Sequence, residues 1–136
     1  MTSVMIVDDS VMMRSVIAEI VQADPDFNVV GRAGNGCEAL EKLRASDCDI
    51  VLLDIEMPRM DGLEALRHLR LISKAKVIVV SSSAHAGSRT AVEARREGAF
   101  AVIPKPSGTV SLDLGQKKGH EILEACRKAA GLSGNA

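Results

Sequence analysis

Five short apolar runs alternate with stretches of helical periodicity along this chain, at intervals of about 25 residues, which is the spacing of βαβ units. The predicted strands are residues 4–7, 27–33, 50–53, 77–80 and 100–103, and the predicted helices are 10–23, 36–46, 63–72, 87–97 and 117–130. Most of the strands are apolar throughout, which is typical of parallel strands buried on both faces. Right-handed crossovers bring the carboxyl ends of such strands to one edge of the sheet. The pattern therefore predicts an α/β domain with a doubly wound parallel sheet.

The composition predicts one globular domain that binds neither nucleic acid nor membranes. With 136 residues, 46% hydrophobic and 26% charged, the chain can form one hydrophobic core. The net charge of −1 and the lack of basic clusters argue against nucleic-acid and membrane partners. The N-terminus has no signal-sequence pattern, and no apolar run approaches the ~20 residues that span a bilayer, so we expect a cytoplasmic protein. Residues 1–130 are predicted to be the domain, and 131–136 a flexible end or the start of a linker.

The spacing of apolar residues also predicts which side chains face the core. The third helix should turn four apolar residues to one side, namely Leu63, Leu66, Leu69 and Ile72. The fourth helix has a thin apolar face and should be marginally packed; its members are Ala91, Val92 and Ala94. The three cysteines are odd in number and far apart, so we expect small buried side chains and no disulfide or metal site; they are Cys37, Cys48 and Cys126.

Polar residues follow four of the five predicted strands. Asp8 and Asp9 follow the first strand, and Asp54 follows the third. Ser81 follows the fourth strand, and Lys105 comes just after the fifth. Because ligands of open α/β sheets bind at the carboxyl edge, we expect three carboxylates, a hydroxyl and an ammonium to meet there. Helix capping or a turn could explain one aspartate taken alone, but does not account for the whole set.

Such a cluster favours a divalent cation and a phosphoryl group. Two carboxylates 4 Å apart repel each other by ~4 kcal/mol at an effective dielectric constant near 20. Mg²⁺ relieves that repulsion, since it prefers six oxygen ligands and retains some waters. A lysine beside the cation makes the pocket attractive to a phosphoryl group. Asp54, at the end of a central strand, is the predicted nucleophile that forms an aspartyl phosphate.

Several motifs resemble the receiver domain of two-component response regulators. The resemblance covers about residues 3 to 130 and rests on Asp8-Asp9-Ser10, the run Leu53 to Gly62, Ser81 after Val79-Val80, and Lys105-Pro106. It implies a flavodoxin-like (βα)5 fold with strand order 2-1-3-4-5. It also implies that Asp54 accepts phosphate from a histidine kinase. Asp8, Asp9 and Asp54 would then hold Mg²⁺, together with the backbone carbonyl of Glu56.

The same resemblance implies how the domain would switch. Ser81 would bond the phosphoryl oxygen and Lys105 would pair with it, and the Lys105–Pro106 peptide bond would be cis. The outer surface of the fourth helix and the fifth strand would change in response. Receivers often carry an aromatic residue three positions before this lysine, but here the position is Val102. Phe100 should point to the same face yet lies further down the strand, which puts the aromatic part of the switch in doubt.

A narrower resemblance links the chain to the receiver half of chemotaxis-type protein-glutamate methylesterases. It rests on residues 54–66, 80–82 and 105–114. In that family a linker and a catalytic hydrolase domain follow, and this chain ends where the linker would begin. The sequence contains no Gly-x-Ser-x-Gly elbow, so we expect no enzyme activity beyond its own phosphorylation and dephosphorylation. Two origins remain open: the regulatory domain of a methylesterase, and a free-standing response regulator.

Two other functions are also open on the sequence. One is a phosphatase of another α/β class, which usually carries a second acid/base aspartate two residues after the nucleophile, where this chain has Glu56. The other is a constitutive binding module whose acidic edge binds metal without being phosphorylated. Other basic side chains are predicted to lie on the surface, and the histidines among them lack metal-ligand spacing: Arg14, Arg59, His68, His85 and His120.

Overall fold

The structure, a computed structural model that describes residues 1–56, 62–82, 87–105 and 119–132, contains a five-stranded parallel sheet of order β2-β1-β3-β4-β5. The strands are β1 (Thr2–Val7), β2 (Phe27–Ala33), β3 (Ile50–Leu53), β4 (Lys76–Ser81) and β5 (Ala101–Pro104). The helices of the described residues are α1 (Val11–Gln22), α2 (Gly36–Ala45), α3 (Gly62–Ile72), α4 (Arg89–Arg96) and α5 (Gly119–Ala129). The flavodoxin-like fold and strand order are thus confirmed.

Helix starts follow local capping chemistry. The side chains of Ser10, Asn35 and Ser88 accept hydrogen bonds from the backbone three residues on, at the N-termini of α1, α2 and α4. After α4, Gly98 adopts φ 104°, a left-handed conformation that glycine tolerates and that ends the helix. None of the described helices is long and apolar enough to span a bilayer.

The sheet is buried on both faces because alternate residues of each strand point in opposite directions. On one face, Val4 and Ile6 of β1 pack with residues of α1 and α5 such as Ile17 and Ile122. On the other, β1 packs through Met5 and Val7 with apolar residues of α2 and α3, including Leu40, Leu43, Leu66 and Leu69. This arrangement explains why the central strands are apolar at consecutive positions.

Two predicted core positions on the helices are wrong. Ile72 is 39% exposed, because it is the last residue of α3 and lies beyond the core that α3 forms with Leu66 and Leu69. Val92 is 46% exposed, because α4 packs through Ala91 and Ala94 alone. The apolar contact of α4 is therefore even thinner than predicted.

The cysteine prediction is confirmed at two positions and wrong at one. Cys48 and Cys126 are buried, and burial raises the pKa of their thiols to about 11 and about 12. Cys37 is exposed, because the inward face of α2 is formed by other residues, among them Ala39 and Leu40.

Several sequence predictions concern segments outside the described residues. These are the turn at residues 57–61, the loop 107–115, the helix start near residue 117, the end 133–136, and the positions of Arg59, His85 and Pro106. The cis peptide bond at Pro106 is among them, and it stays a prediction.

Candidate functional site

The carboxylates predicted at the sheet edge meet there because the strand register places them side by side. β1 pairs with β3 so that Val7 lies opposite Leu53, and Asp8 and Asp54 are the next residues of the two strands. The Asp54 N–H donates to the Val7 carbonyl at 2.9 Å. Asp8 and Asp54 are 1% and 5% exposed, whereas Asp9 is exposed. One carboxylate oxygen from each of the three lies within 4.8 Å of the others.

Lys105 reaches this cluster from the end of β5. Its Nζ lies 2.6 Å from Asp8 Oδ2 and 3.3 Å from Asp54 Oδ2, and its side chain is only 11% exposed. Burial opposes the ammonium charge, but hydrogen bonds and charge attraction from both aspartates outweigh it, so the pKa of Lys105 is raised. The ammonium is therefore charged, and it offsets part of the negative charge of the cluster.

The surroundings of Asp54 disfavour the ionised form of its carboxyl group. Burial raises its pKa, and the charge of Asp8 raises it further. Attraction to Lys105, a hydrogen bond from the buried Ser81 and one from the Glu56 N–H act in the opposite direction without restoring the ordinary value. The ionised form of Asp54 thus costs the folded protein free energy.

We expect Asp54→Asn to raise the free energy of unfolding in metal-free buffer at neutral pH, because the amide has no buried charge to desolvate. A raised pKa in the folded state means that ionisation destabilises the fold above that pKa. The penalty disappears as the pH falls through the raised pKa toward the ordinary value of 3.8. Urea unfolding followed by circular dichroism, at neutral pH and below pH 4, would measure the difference. A variant less stable than the native chain at neutral pH would contradict the expectation.

Glu56 and the two serines at the end of β4, Ser81 and Ser82, lie beside Asp54. The Glu56 N–H donates to Asp54 Oδ1 at 3.3 Å. The exposed side chain of Glu56 accepts a hydrogen bond from Ser82 Oγ at 2.9 Å. The segments after β3 and β4 are thereby joined. Ser81 is fully buried at the end of β4, between the strands that carry Asp54 and Lys105. The predicted ligand role of the Glu56 carbonyl remains a prediction.

Arg14 was predicted to lie on the surface, and the structure corrects that prediction. Its guanidinium is half-buried and donates a hydrogen bond to the backbone carbonyl of Asp8. The signal was available in the sequence: Arg14 lies four residues after the N-cap Ser10, and helical side chains lean toward the N-terminus. His68 is exposed, as predicted.

The two candidate positions for an aromatic switch residue are two residues apart, one just before the last strand and one within it. Phe100 precedes β5 and is 40% exposed, with Lys76 Nζ 5.2 Å from its ring centroid. Val102 pairs with Val79 and packs against the cluster of Ile55, Val79 and Ala94. Phe100 thus lies at the end of the strand away from Lys105.

The three carboxylates fit a magnesium ion by their chemistry. Each offers a hard anionic oxygen, and the oxygens are close enough to share one cation. Burial is the largest cause of the raised pKa of Asp54, and a bound cation would offset the cost of holding its charge away from water. Asp8, Asp9 and Asp54 are the residues that would hold the ion.

The chain is similar in sequence to one family of known proteins. The family model described as "Response regulator receiver domain" matches residues 4–127. The protein-glutamate methylesterase/protein-glutamine glutaminase 1 of Oleidesulfovibrio alaskensis is 46% identical over 114 residues, which are 84% of this chain and 31% of that protein. The corresponding Thermotoga maritima protein is 42% identical over 126 residues, 93% of this chain and 36% of that protein. The chain thus spans about a third of the length of the curated relatives it matches.

Two solved structures agree with the sequence comparisons. The response regulator domain of Thermotoga maritima CheB superimposes with a TM-score of 0.89 at 39% identity, covering 97% of this chain and 98% of that one. A chain from the crystal structure of the P1 domain of CheA3 in complex with CheY6 from R. sphaeroides gives 0.79 at 48% identity, covering 96% and 97%. Both come from chemotaxis proteins, so the similarity extends beyond the fold.

Proposed function

This chain belongs to the response regulator receiver domain family, of the chemotaxis type, and on that premise we propose that it is a switch operated by phosphorylation of Asp54. The observation that carries the proposal is the meeting of Asp8, Asp9, Asp54 and Lys105 at one point of the sheet edge. A nucleophile, a set of oxygen ligands and a fixed positive charge are the parts that phosphoryl transfer needs. The chain is a receiver domain, and the chemistry that we propose for it is the gain and loss of that phosphoryl group.

In the proposed step, a carboxylate oxygen of Asp54 attacks phosphorus and forms a new P–O bond. The bond from phosphorus to the donor breaks, and its electron pair leaves with the donor, which takes up a proton. Bound Mg²⁺ supplies positive charge against the phosphoryl oxygens and the clustered carboxylates. Lys105, held 3.3 Å from Asp54, supplies a second positive charge, and the burial of Asp54 limits the access of water.

The phosphorylated state is proposed to differ mainly around α4 and β5. A phosphoryl group brings new acceptor oxygens, to which Lys105 and Ser81 would turn, weakening the Lys105–Asp8 contact. Any shift of Ser81 pulls on the segment after β4, which also carries the Ser82 link to Glu56. α4 follows with little resistance, since it has eight residues and buries only two alanines. The phosphoryl group biases an equilibrium between two arrangements that already exist.

The proposed partners are a histidine kinase as phosphoryl donor and a methylesterase domain as the regulated output. One similar chain comes from a complex with the P1 domain of CheA3, and the first curated relatives are methylesterases of about three times this length. The free-standing response regulator is the alternative, and the parent gene beyond Ala136 distinguishes the two. We place the reaction in the cytoplasm, where reducing conditions keep thiols such as Cys48 and Cys126 free.

Removal of the metal tests the proposal directly. With acetyl phosphate and Mg²⁺, intact mass spectrometry should show one added phosphoryl group, and EDTA should reduce the modified fraction to background. Beryllofluoride with Mg²⁺ should shift amide resonances at Asp54 and Ser81, since it mimics a bound phosphoryl group. Incorporation that is equally fast in EDTA would overturn the magnesium-dependent mechanism. Sustained turnover of small phosphate esters would instead favour the phosphatase. If the chain responds to neither acetyl phosphate nor beryllofluoride, the constitutive binding module is favoured.

A further inference from the structure

We propose that Arg14 is a positioning residue for the acidic cluster: its guanidinium holds the backbone carbonyl of Asp8 and thereby fixes the loop that carries Asp8 and Asp9. The inference rests on the proposed function, because it concerns how the carboxylates are held ready for Mg²⁺. Arg14 itself is not a ligand, since its guanidinium has only donors.

The contacts of Asp8 show why this carbonyl matters. Its backbone N–H donates to the Ala33 carbonyl of β2 at 3.0 Å, and its carbonyl accepts from the Arg14 guanidinium. Its side chain accepts from the Ser10 N–H at 2.9 Å and from Lys105 at 2.6 Å. Arg14 therefore fixes the peptide group that joins Asp8 to Asp9. Without that contact, the orientation of the exposed Asp9 carboxylate would depend on the loop alone.

The Arg14 guanidinium also lies beside the turn between β2 and α2. A Cβ atom on Gly34 would lie 3.3 Å from Arg14 Nη1, so the missing side chain of this glycine leaves room for the guanidinium. The Gly34 N–H donates to Glu38 Oε1 at 2.6 Å, and Asn35 caps α2 by accepting from the Glu38 N–H at 2.9 Å. The guanidinium that holds the Asp8 carbonyl thus lies against a turn that has its own hydrogen bonds.

A charge effect of Arg14 and a positioning role of Arg14 predict opposite changes in Mg²⁺ affinity when the arginine is replaced. If Arg14 acted only as a nearby positive charge, it would repel Mg²⁺, and its neutralisation would tighten metal binding. If it were needed only for folding, its loss would lower stability and leave the affinity of the folded protein unchanged. If it holds the loop, its loss should weaken Mg²⁺ binding, as the loss of groups that orient metal ligands does elsewhere.

The test is an NMR titration of the whole chain with MgCl₂, which reports on folded protein only. Arg14→Gln should weaken Mg²⁺ binding about tenfold and should reduce the protection of the Ser10 amide from hydrogen exchange. Arg14→Met, which keeps the aliphatic stem, replaces it if the glutamine variant does not fold. Arg44→Gln is the matched control, because Arg44 is an exposed residue in the last turn of α2; it should bind Mg²⁺ as the native chain does.

The outcomes of the titration distinguish failure of the positioning role from failure of the proposed function. Unchanged or tighter Mg²⁺ binding by a folded Arg14 variant overturns the positioning role and leaves the proposed function standing. A native chain that shows no response to Mg²⁺ defeats the proposed function, and this inference falls with it. Weaker binding in the Arg14 variants, with native affinity in Arg44→Gln, supports the inference.

Discussion

Asp54→Asn is expected to incorporate no phosphoryl group above background when incubated with acetyl phosphate and Mg²⁺. The amide is a poor nucleophile, and the substitution also replaces one of the three carboxylates near the cation site by a neutral group. Intact mass measurement over time, against the native chain in the same buffer, checks the result. Because the variant is expected to be more stable than the native chain without metal, loss of incorporation will not be due to unfolding.

The control for this experiment is Asp49→Asn, the same substitution just before the other end of β3. Asp49 accepts hydrogen bonds from the Ser3 N–H at 2.8 Å and Ser3 Oγ at 3.0 Å, far along the strand from Asp54. The Asp49→Asn variant should incorporate one phosphoryl group at the native rate. Normal incorporation in Asp54→Asn would place the acceptor on another residue, and peptide mapping would then identify it.

Gly62→Ala is expected to destabilise the fold by about 3 kcal/mol or more. Gly62 is the first residue of α3, and its N–H donates to the Ile55 carbonyl at 2.8 Å. A Cβ atom there would lie 2.3 Å from Ile55 Cα and 2.6 Å from the Asp54 carbonyl oxygen. Both atoms belong to the backbone and cannot rotate away. Urea unfolding followed by circular dichroism measures the loss.

Gly31→Ala is the matched control, since Gly31 lies in β2 and the added methyl group would contact only the Met5 side chain, at 3.4 Å and beyond. We expect its free energy of unfolding to stay within about 1 kcal/mol of the native value. Alanine at position 62 would ordinarily favour a helix over glycine by about 1 kcal/mol. If Gly62→Ala proves as stable as Gly31→Ala, α3 does not approach the backbone of Asp54 and Ile55 as closely as the structure shows.

Most of the fold could be predicted because it depends on local spacing. The strands β1, β2 and β3 lie within one or two residues of the predicted apolar runs, and α1 and α2 begin and end within one residue of the predicted bounds. The predictions failed at positions that look apolar in sequence but lie outside the packed faces. Val92 and Cys37 are exposed since helical periodicity gives the angle of a side chain, and only packing decides whether another element covers it.

The sequence by itself determined which residues reach the carboxyl edge of the sheet, because an aspartate or serine at the end of a buried parallel strand has only one place to go. Only the tertiary structure decided how these residues pair. Lys105 lies nearer to Asp8 than to Asp54, across 97 positions of the chain, and Arg14 turns inward to a backbone carbonyl. The physical reason is that strand register and helix packing set the distances between residues remote in sequence, and so decide which of them form hydrogen bonds. Spacing along the chain sets only the side of a helix or strand on which each side chain lies.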